Sequence, residues 1–70
     1  MMPLTMSGSG ETGYIKKITG KDDVRQHLAE LGFVVGEQVM VVSKLAGNMI
    51  INVKGTRIAL DQSMTNRIMV

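Results

Sequence analysis

The stretch Leu28-Ala-Glu-Leu-Gly-Phe-Val-Val-Gly36 decides the fold, because it holds the end of a helix and the entry into a sheet. Leu28 and Leu31 stand three residues apart just before a glycine, as in the apolar face and left-handed cap of a finishing helix. Three apolar residues follow that glycine, and Gly36 then permits a second change of direction. The stretch predicts a single helix that feeds the strands of a small, mostly β domain.

The helix is predicted over about residues 22–31. From Val24 onward, apolar residues recur at i, i+4 and i+7, so only one face is suited to burial. Asp23 and Gln26 have the spacing of a capping box, which predicts the start of the helix.

Five to six short strands account for most of the remaining chain. Each run is rich in β-branched or alternating apolar residues and is bounded by glycine or asparagine. Asp61 is expected to cap a helical turn at about 61–66. Closing so many short strands into a small SH3-like barrel removes exposed edges, and we expect one such domain over 1–70. The predicted strands are residues 14–19, 39–43, 49–53, 57–60 and 68–70, with 4–6 as a short edge strand.

Composition limits the possible functions. The 70 residues include no cysteine, which excludes disulfides and thiolate metal sites. The net charge of +2 comes from mixed charges, and the apolar runs are far shorter than the ~20 residues of a membrane span. No signal peptide is recognisable at the N-terminus. We therefore expect a soluble, cytoplasmic protein.

The sequence contains no recognisable catalytic motif. His27 is the only histidine, and no phosphate-binding glycine motif is followed by lysine and a hydroxyl residue. A nucleophilic serine would need a nearby base, for which His27 is the one candidate. The sequence predicts neither an enzyme nor a bound cofactor.

Three segments together resemble the ferrous iron transport protein A family (FeoA). They are Gly13-Tyr-Ile-Lys-Lys-Ile18, His27-Leu-Ala-Glu-Leu-Gly-Phe33 with Gly36, and Gly55-Thr-Arg-Ile-Ala-Leu60 followed by Ile68 and Val70. The resemblance runs from about residue 4 to residue 70. It departs from the family pattern in two places. Asn48-Met49 replaces a proline-containing turn, and Thr65 replaces a small alanine, which brings a hydroxyl near the core.

The resemblance implies an SH3-like barrel that acts in ferrous iron transport beside a FeoB-type membrane transporter with a cytosolic GTPase domain. It implies a cytoplasmic protein that the transporter recruits to the inner face of the cell membrane. Exposed strand edges or methionines allow weak self-association, so we expect a monomer or weak dimer. Polar segments outside the core pattern are the expected contacts. The candidate partner-binding residues are Tyr14, Arg25, Glu30 and Met49. Met49 belongs to this set only if it is exposed at a hairpin tip, since methionines here otherwise fill a core short of aromatics.

Direct iron binding is a separate hypothesis. Asp23, His27 and Glu30 are spaced four and three residues apart on the predicted helix, so they share one flank. Carboxylate and imidazole are suitable ligands for ferrous iron. Ligands from one short helix seldom converge, however, so no stable metal site is predicted.

A metal-responsive regulatory module or a small RNA-binding barrel is the alternative function. Lys16, Lys17, Lys21 and Arg25 lie close together in sequence, and small barrels can bind RNA. Single-strand binding normally also needs stacking aromatics, and Tyr14 is the only one nearby. The sequence therefore favours a protein partner over nucleic acid.

Overall fold

Six short strands and two helices form the fold in the computed structural model, which describes all residues, Met1–Val70. The mostly β prediction, with one longer helix and one helical turn, is confirmed. In chain order the elements are a 3₁₀ turn (Leu4–Met6), β1 (Thr12–Tyr14), β2 (Lys17–Ile18), α1 (Asp22–Glu30), β3 (Gln38–Leu45), β4 (Asn48–Val53), β5 (Thr56–Asp61), α2 (Gln62–Thr65) and β6 (Ile68–Met69).

The strands form two antiparallel sheets. One has four strands in the order β1-β3-β4-β5, and the other pairs β2 with β6. We expected one strand over residues 14–19, but the structure has two strands, β1 and β2, with a break between them. The break turns the side chain of Ile15 into the core, where it is 1% exposed. The N–H of Lys16 donates to the C=O of Met69 at 2.8 Å, so the break carries the chain from the first sheet to the second.

The end of α1 is a Schellman motif. Gly32 has φ +107°, and its N–H donates to the C=O of Ala29 at 3.0 Å. The N–H of Phe33 reaches back to the C=O of Leu28 at 2.9 Å. Leu28 and Phe33 are both fully buried, which is the apolar contact that accompanies this cap. The same few residues, 28–33, therefore end the helix and bury Phe33, the only buried aromatic ring.

The start of α1 differs from the expectation. The N-cap is Lys21, which makes no side-chain capping bond, so the capping box of Asp23 and Gln26 is wrong. Asp23 lies in the first turn instead and accepts the N–H of Val24 at 2.9 Å. The paired acidic residues of this turn still favour the helix, because they face the positive end of its dipole.

Two-residue turns close both hairpins of the large sheet. Ala46–Gly47 has φ values of +51° and +83°, and Lys54–Gly55 has +51° and +76°. Positive φ at both central positions defines the type I′ turn, whose twist matches that of the flanking strands. In the first hairpin Ala46 takes the left-handed conformation beside the glycine.

The core is aliphatic around one phenylalanine. Residues 4–6 are a 3₁₀ turn rather than an edge strand, which turns Leu4 inward and leaves Met6 70% exposed. The hydroxyl of Thr65 is buried as expected, but its Oγ1 donates to the C=O of Asp61 at 2.7 Å, so it has a partner. The buried apolar residues are Leu4, Ile15, Leu28, Phe33, Val39, Val41, Met49, Ile51, Val53, Leu60 and Ile68.

Candidate protein-interaction site

A groove of about 340 Å³ lies between the tip of the β3–β4 hairpin, the 3₁₀ turn and α2. We call it the hairpin groove. Because it joins three elements distant in sequence, it exists only in the folded chain. Its lining residues are Thr5, Lys44, Leu45, Ala46, Gly47, Asn48, Met49, Gln62 and Thr65.

The hairpin groove combines an apolar floor with a polar rim. Met49, a core residue that is 4% exposed, supplies the apolar floor beside the buried Thr65, which is 0% exposed. Leu45, the last residue before the tight turn, is 70% exposed. An exposed leucine beside a partly apolar depression is a favourable arrangement for an apolar side chain of a protein partner.

Polar bonds hold the walls of the hairpin groove together. The Nζ of Lys44 donates to the C=O of Thr5 at 3.2 Å, which ties the hairpin to the 3₁₀ turn. The Oγ1 of Thr5 donates to Oδ1 of Asn66 at 2.6 Å, which ties the same turn to the end of α2. The groove is therefore formed in the free protein, and a ligand need not order it.

A second, more open groove of about 660 Å³ runs between β2 and α1, and we call it the helix groove. Val35 is 66% exposed on this surface. Lys16 and Lys17 add positive charge, and Arg25 is paired with Asp22 one helical turn away. The helix groove is thus a shallow apolar strip with a charged border.

The four predicted partner-binding residues do not converge. Tyr14 is 60% exposed on β1, opposite Gln38 of β3. Arg25 borders the helix groove, and Glu30 is exposed at the end of α1. The expectation of an exposed Met49 is wrong, because the inward alternation of β4 places it in the core.

Sequence reasoning missed Val35 as a surface residue, since it stands in an apolar run beside the buried Phe33. The turn at Val35–Gly36 exposes it, and only the glycine signalled that turn. The exposure of Leu45, at the tip of the β3–β4 hairpin, was not foreseen either. Both residues show that an apolar residue next to a tight turn is a candidate surface contact.

The acidic and histidine flank of α1 does not form a metal centre. Asp23, His27 and Glu30 are all exposed, and no three His, Asp or Glu side chains are grouped so that they could hold an ion. A metal ion at this flank would need ligands from a second element, and none is supplied. The structure therefore adds no support to the iron-binding hypothesis.

Asp61 is the one titratable group with a clear perturbation. The N–H of Met64 donates to its Oδ1 at 2.9 Å, and the hydroxyl of Ser63 donates to the same atom at 2.9 Å. These bonds lower the pKa of Asp61, because they stabilise the ionised form. The predicted cap of the helical turn is confirmed, and Asp61 carries a negative charge at neutral pH.

Comparison with known proteins identifies a family. The family model described as FeoA domain matches residues 2–70. The "Putative Fe(2+) transport protein A" of Methanocaldococcus jannaschii is 33% identical over 70 residues, which are 100% of this chain and 85% of that protein. Neither helix of the chain is long and apolar enough to cross a membrane.

Solved structures share the fold. An iron uptake regulatory protein (FeoA) has a TM-score of 0.88 at 31% identity, covering 96% of this chain and 89% of its own. Stenotrophomonas maltophilia FeoA complexed with zinc, described as a prokaryotic SH3 domain protein, has a TM-score of 0.86 at 28% identity, covering 99% and 88%. A manganese-dependent transcriptional repressor has a TM-score of 0.89 at 18% identity, covering 96% and 34%, which shows the fold alone. The SH3-like fold class is confirmed.

Proposed function

The chain belongs to the FeoA family, and from this premise we propose that it is an accessory protein of ferrous iron uptake that binds a FeoB-type transporter through the hairpin groove. The description of the Stenotrophomonas maltophilia relative names a ferrous iron transport activating factor, which supports a role beside a transporter. The contact is with the cytosolic GTPase domain or with the membrane part of the transporter. Ferrous iron is then the cargo of the partner, and this chain performs no catalytic step.

The exposure of Leu45 beside the apolar floor of the hairpin groove carries the proposal. Hot spots of protein interfaces lie in well-packed, desolvated pockets, and the interface around its apolar centre has a polar rim. Asn48 and Gln62 supply such a rim, while Met49 shapes the floor without reaching the surface. A partner segment with one apolar side chain would bury Leu45 and fill the groove.

Tyr14, Arg25 and Glu30 are proposed as secondary contacts. All three are exposed, and none of them belongs to the buried core. They lie outside the hairpin groove, so they would be reached only by a partner surface broader than the groove. We expect their truncation to weaken binding less than that of Leu45.

The test is an NMR titration of ¹⁵N-labelled protein with the GTPase domain of the cognate transporter and, in parallel, with the whole transporter in nanodiscs. Shifts or broadening should map to residues 44–49 and 62–65. Leu45→Ala should raise the Kd by about thirtyfold, as expected for an anchor worth about 2 kcal/mol.

Val35→Ala is the matched control, because Val35 is an apolar residue of similar exposure in the helix groove. It should change the Kd by less than about twofold, since Val35 belongs neither to the hairpin groove nor to the three secondary contacts. A large loss with Val35→Ala but none with Leu45→Ala would move the site to the helix groove. Absence of binding to both transporter preparations would refute the proposed function.

A further inference from the structure

β5 is the free edge strand of the four-stranded sheet. The two-residue turn at Lys54–Gly55 makes Val53 and Thr56 the first hydrogen-bonded pair, so alternate residues from Thr56 onward bond to β4. Arg57 and Ala59 therefore direct their N–H and C=O groups away from the sheet. No backbone hydrogen bond outside the strand and helix ladders involves either residue.

This edge carries charged residues of both signs, but it has neither a proline nor a bulge. β5 is six residues long, contains no proline, and pairs with β4 in unbroken register. The opposite edge, β1, is only three residues long. Natural proteins shorten, bulge or cover such edges, because free N–H and C=O groups invite another strand. An uncovered β5 therefore points to a strand that pairs with it.

The charges on β5 select the partner strand. Arg57, Ala59 and Asp61 alternate on one exposed face. If two copies pair antiparallel about Ala59, the two Ala59 residues meet and each Arg57 stands opposite Asp61 of the other copy. We propose that this chain self-associates through the free edges of two β5 strands related by a two-fold axis at Ala59.

Both charged groups are free to make this contact. The Oδ1 atom of Asp61 accepts the two capping bonds of α2, whereas Oδ2 accepts none. Arg57 forms no ion pair within the chain, since the only one joins Arg25 and Asp22. Each monomer can therefore offer a carboxylate oxygen and a guanidinium without breaking an internal side-chain bond, while the C=O of Asp61 keeps its bond from Oγ1 of Thr65. The two-fold axis repeats the pair of Arg57 and Asp61, so the dimer contains two such pairs.

The dimer is expected to be weak. One pair of short strands buries less than the ~1,200 Å² of a standard interface, so we expect a Kd on the order of 100 µM to 1 mM. A second copy is favoured over an unrelated peptide because β5 carries both charge signs at the spacing that complements itself. The inference is independent of the proposed function, since it involves a different surface and no transporter.

The experiment is a dilution series of the ¹⁵N-labelled chain from about 1 mM to 20 µM, a span that reaches the upper end of the expected Kd range. Sedimentation equilibrium runs in parallel. Concentration-dependent shifts should be confined to residues 57–61 and should be largest at the amides of Arg57 and Ala59. Arg57→Glu and Asp61→Lys should each raise the Kd about ten- to thirtyfold, because both cross-strand pairs become repulsive. Dispersed spectra of both variants would show that each one folds.

Mixing the two variants is the decisive step. Glu at 57 of one then faces Lys at 61 of the other, and Asp61 faces Arg57, so the mixture should associate with a Kd within about threefold of the parent. Arg67→Glu, an equal charge change on an exposed residue outside β5, should leave the Kd unchanged. A monomeric parent at 1 mM, shifts outside β5, or failure of the mixture to associate would each overturn the inference.

Discussion

Replacing Gly32 by alanine should destabilise the protein by about 1 kcal/mol. At φ +107° an L-residue has a backbone strain of about 1–2 kcal/mol, since its Cβ approaches the following carbonyl. The added methyl also restricts the unfolded chain, which offsets about 0.4–1 kcal/mol of that strain. No clash contributes, because the new Cβ would lie 3.7 Å from the nearest atoms of Lys54 and Val53. The loss of stability in Gly32→Ala therefore reports the backbone strain at the helix cap and not a steric clash.

The measurement is urea unfolding of the parent, Gly32→Ala and Gly32→Asn, followed by circular dichroism. The midpoints should fall in the order glycine, asparagine, alanine, because asparagine tolerates the left-handed region better than alanine. The slope with urea should not change, since the surface exposed on unfolding is the same. A loss of about 1 kcal/mol corresponds to about 4–8 °C in Tm for a domain of this size. Alanine equal to glycine, or asparagine below alanine, would refute the Schellman cap as the cause.

Two further predictions concern the barrel closure and pH. Gly13→Ala would place a Cβ 3.3 Å from Cβ of Val70, so it should cost about 1–3 kcal/mol by overpacking, seen as a lower Tm in thermal melts, and an unchanged Tm would contradict this contact. Asp61→Asn tests the lowered pKa: the ionised carboxylate stabilises the parent above about pH 4, and this advantage should vanish as acid protonates it. A parent-minus-variant stability that stays constant from pH 6 to pH 2 would contradict that assignment.

The proposed contacts differ from those expected because burial was judged from local pattern. Met49 follows the tight turn and looked like a tip residue, but the turn is formed by Ala46–Gly47 and Met49 is already the first inward residue of β4. Conversely, Leu45 has an apolar side chain and yet lies exposed at the hairpin tip. A one-residue change of register moves a side chain from one face of the sheet to the other. An error of one residue in the position of the turn therefore reverses the predicted burial of the residues beside it.

The sequence by itself determined the order of elements from α1 to β6, the amphipathic helix with its glycine stop, the capped turn at Asp61 and the family. Each depends on residues near one another in the chain, where periodicity, glycine and capping chemistry act directly. Only the tertiary structure decided that Tyr14, Arg25 and Glu30 lie apart from the hairpin groove, that Thr5 and Lys44 hold this groove together, and that β5 is left uncovered. These features arise from contacts between distant segments, and the register and packing that create them are set by the whole core rather than by any one stretch.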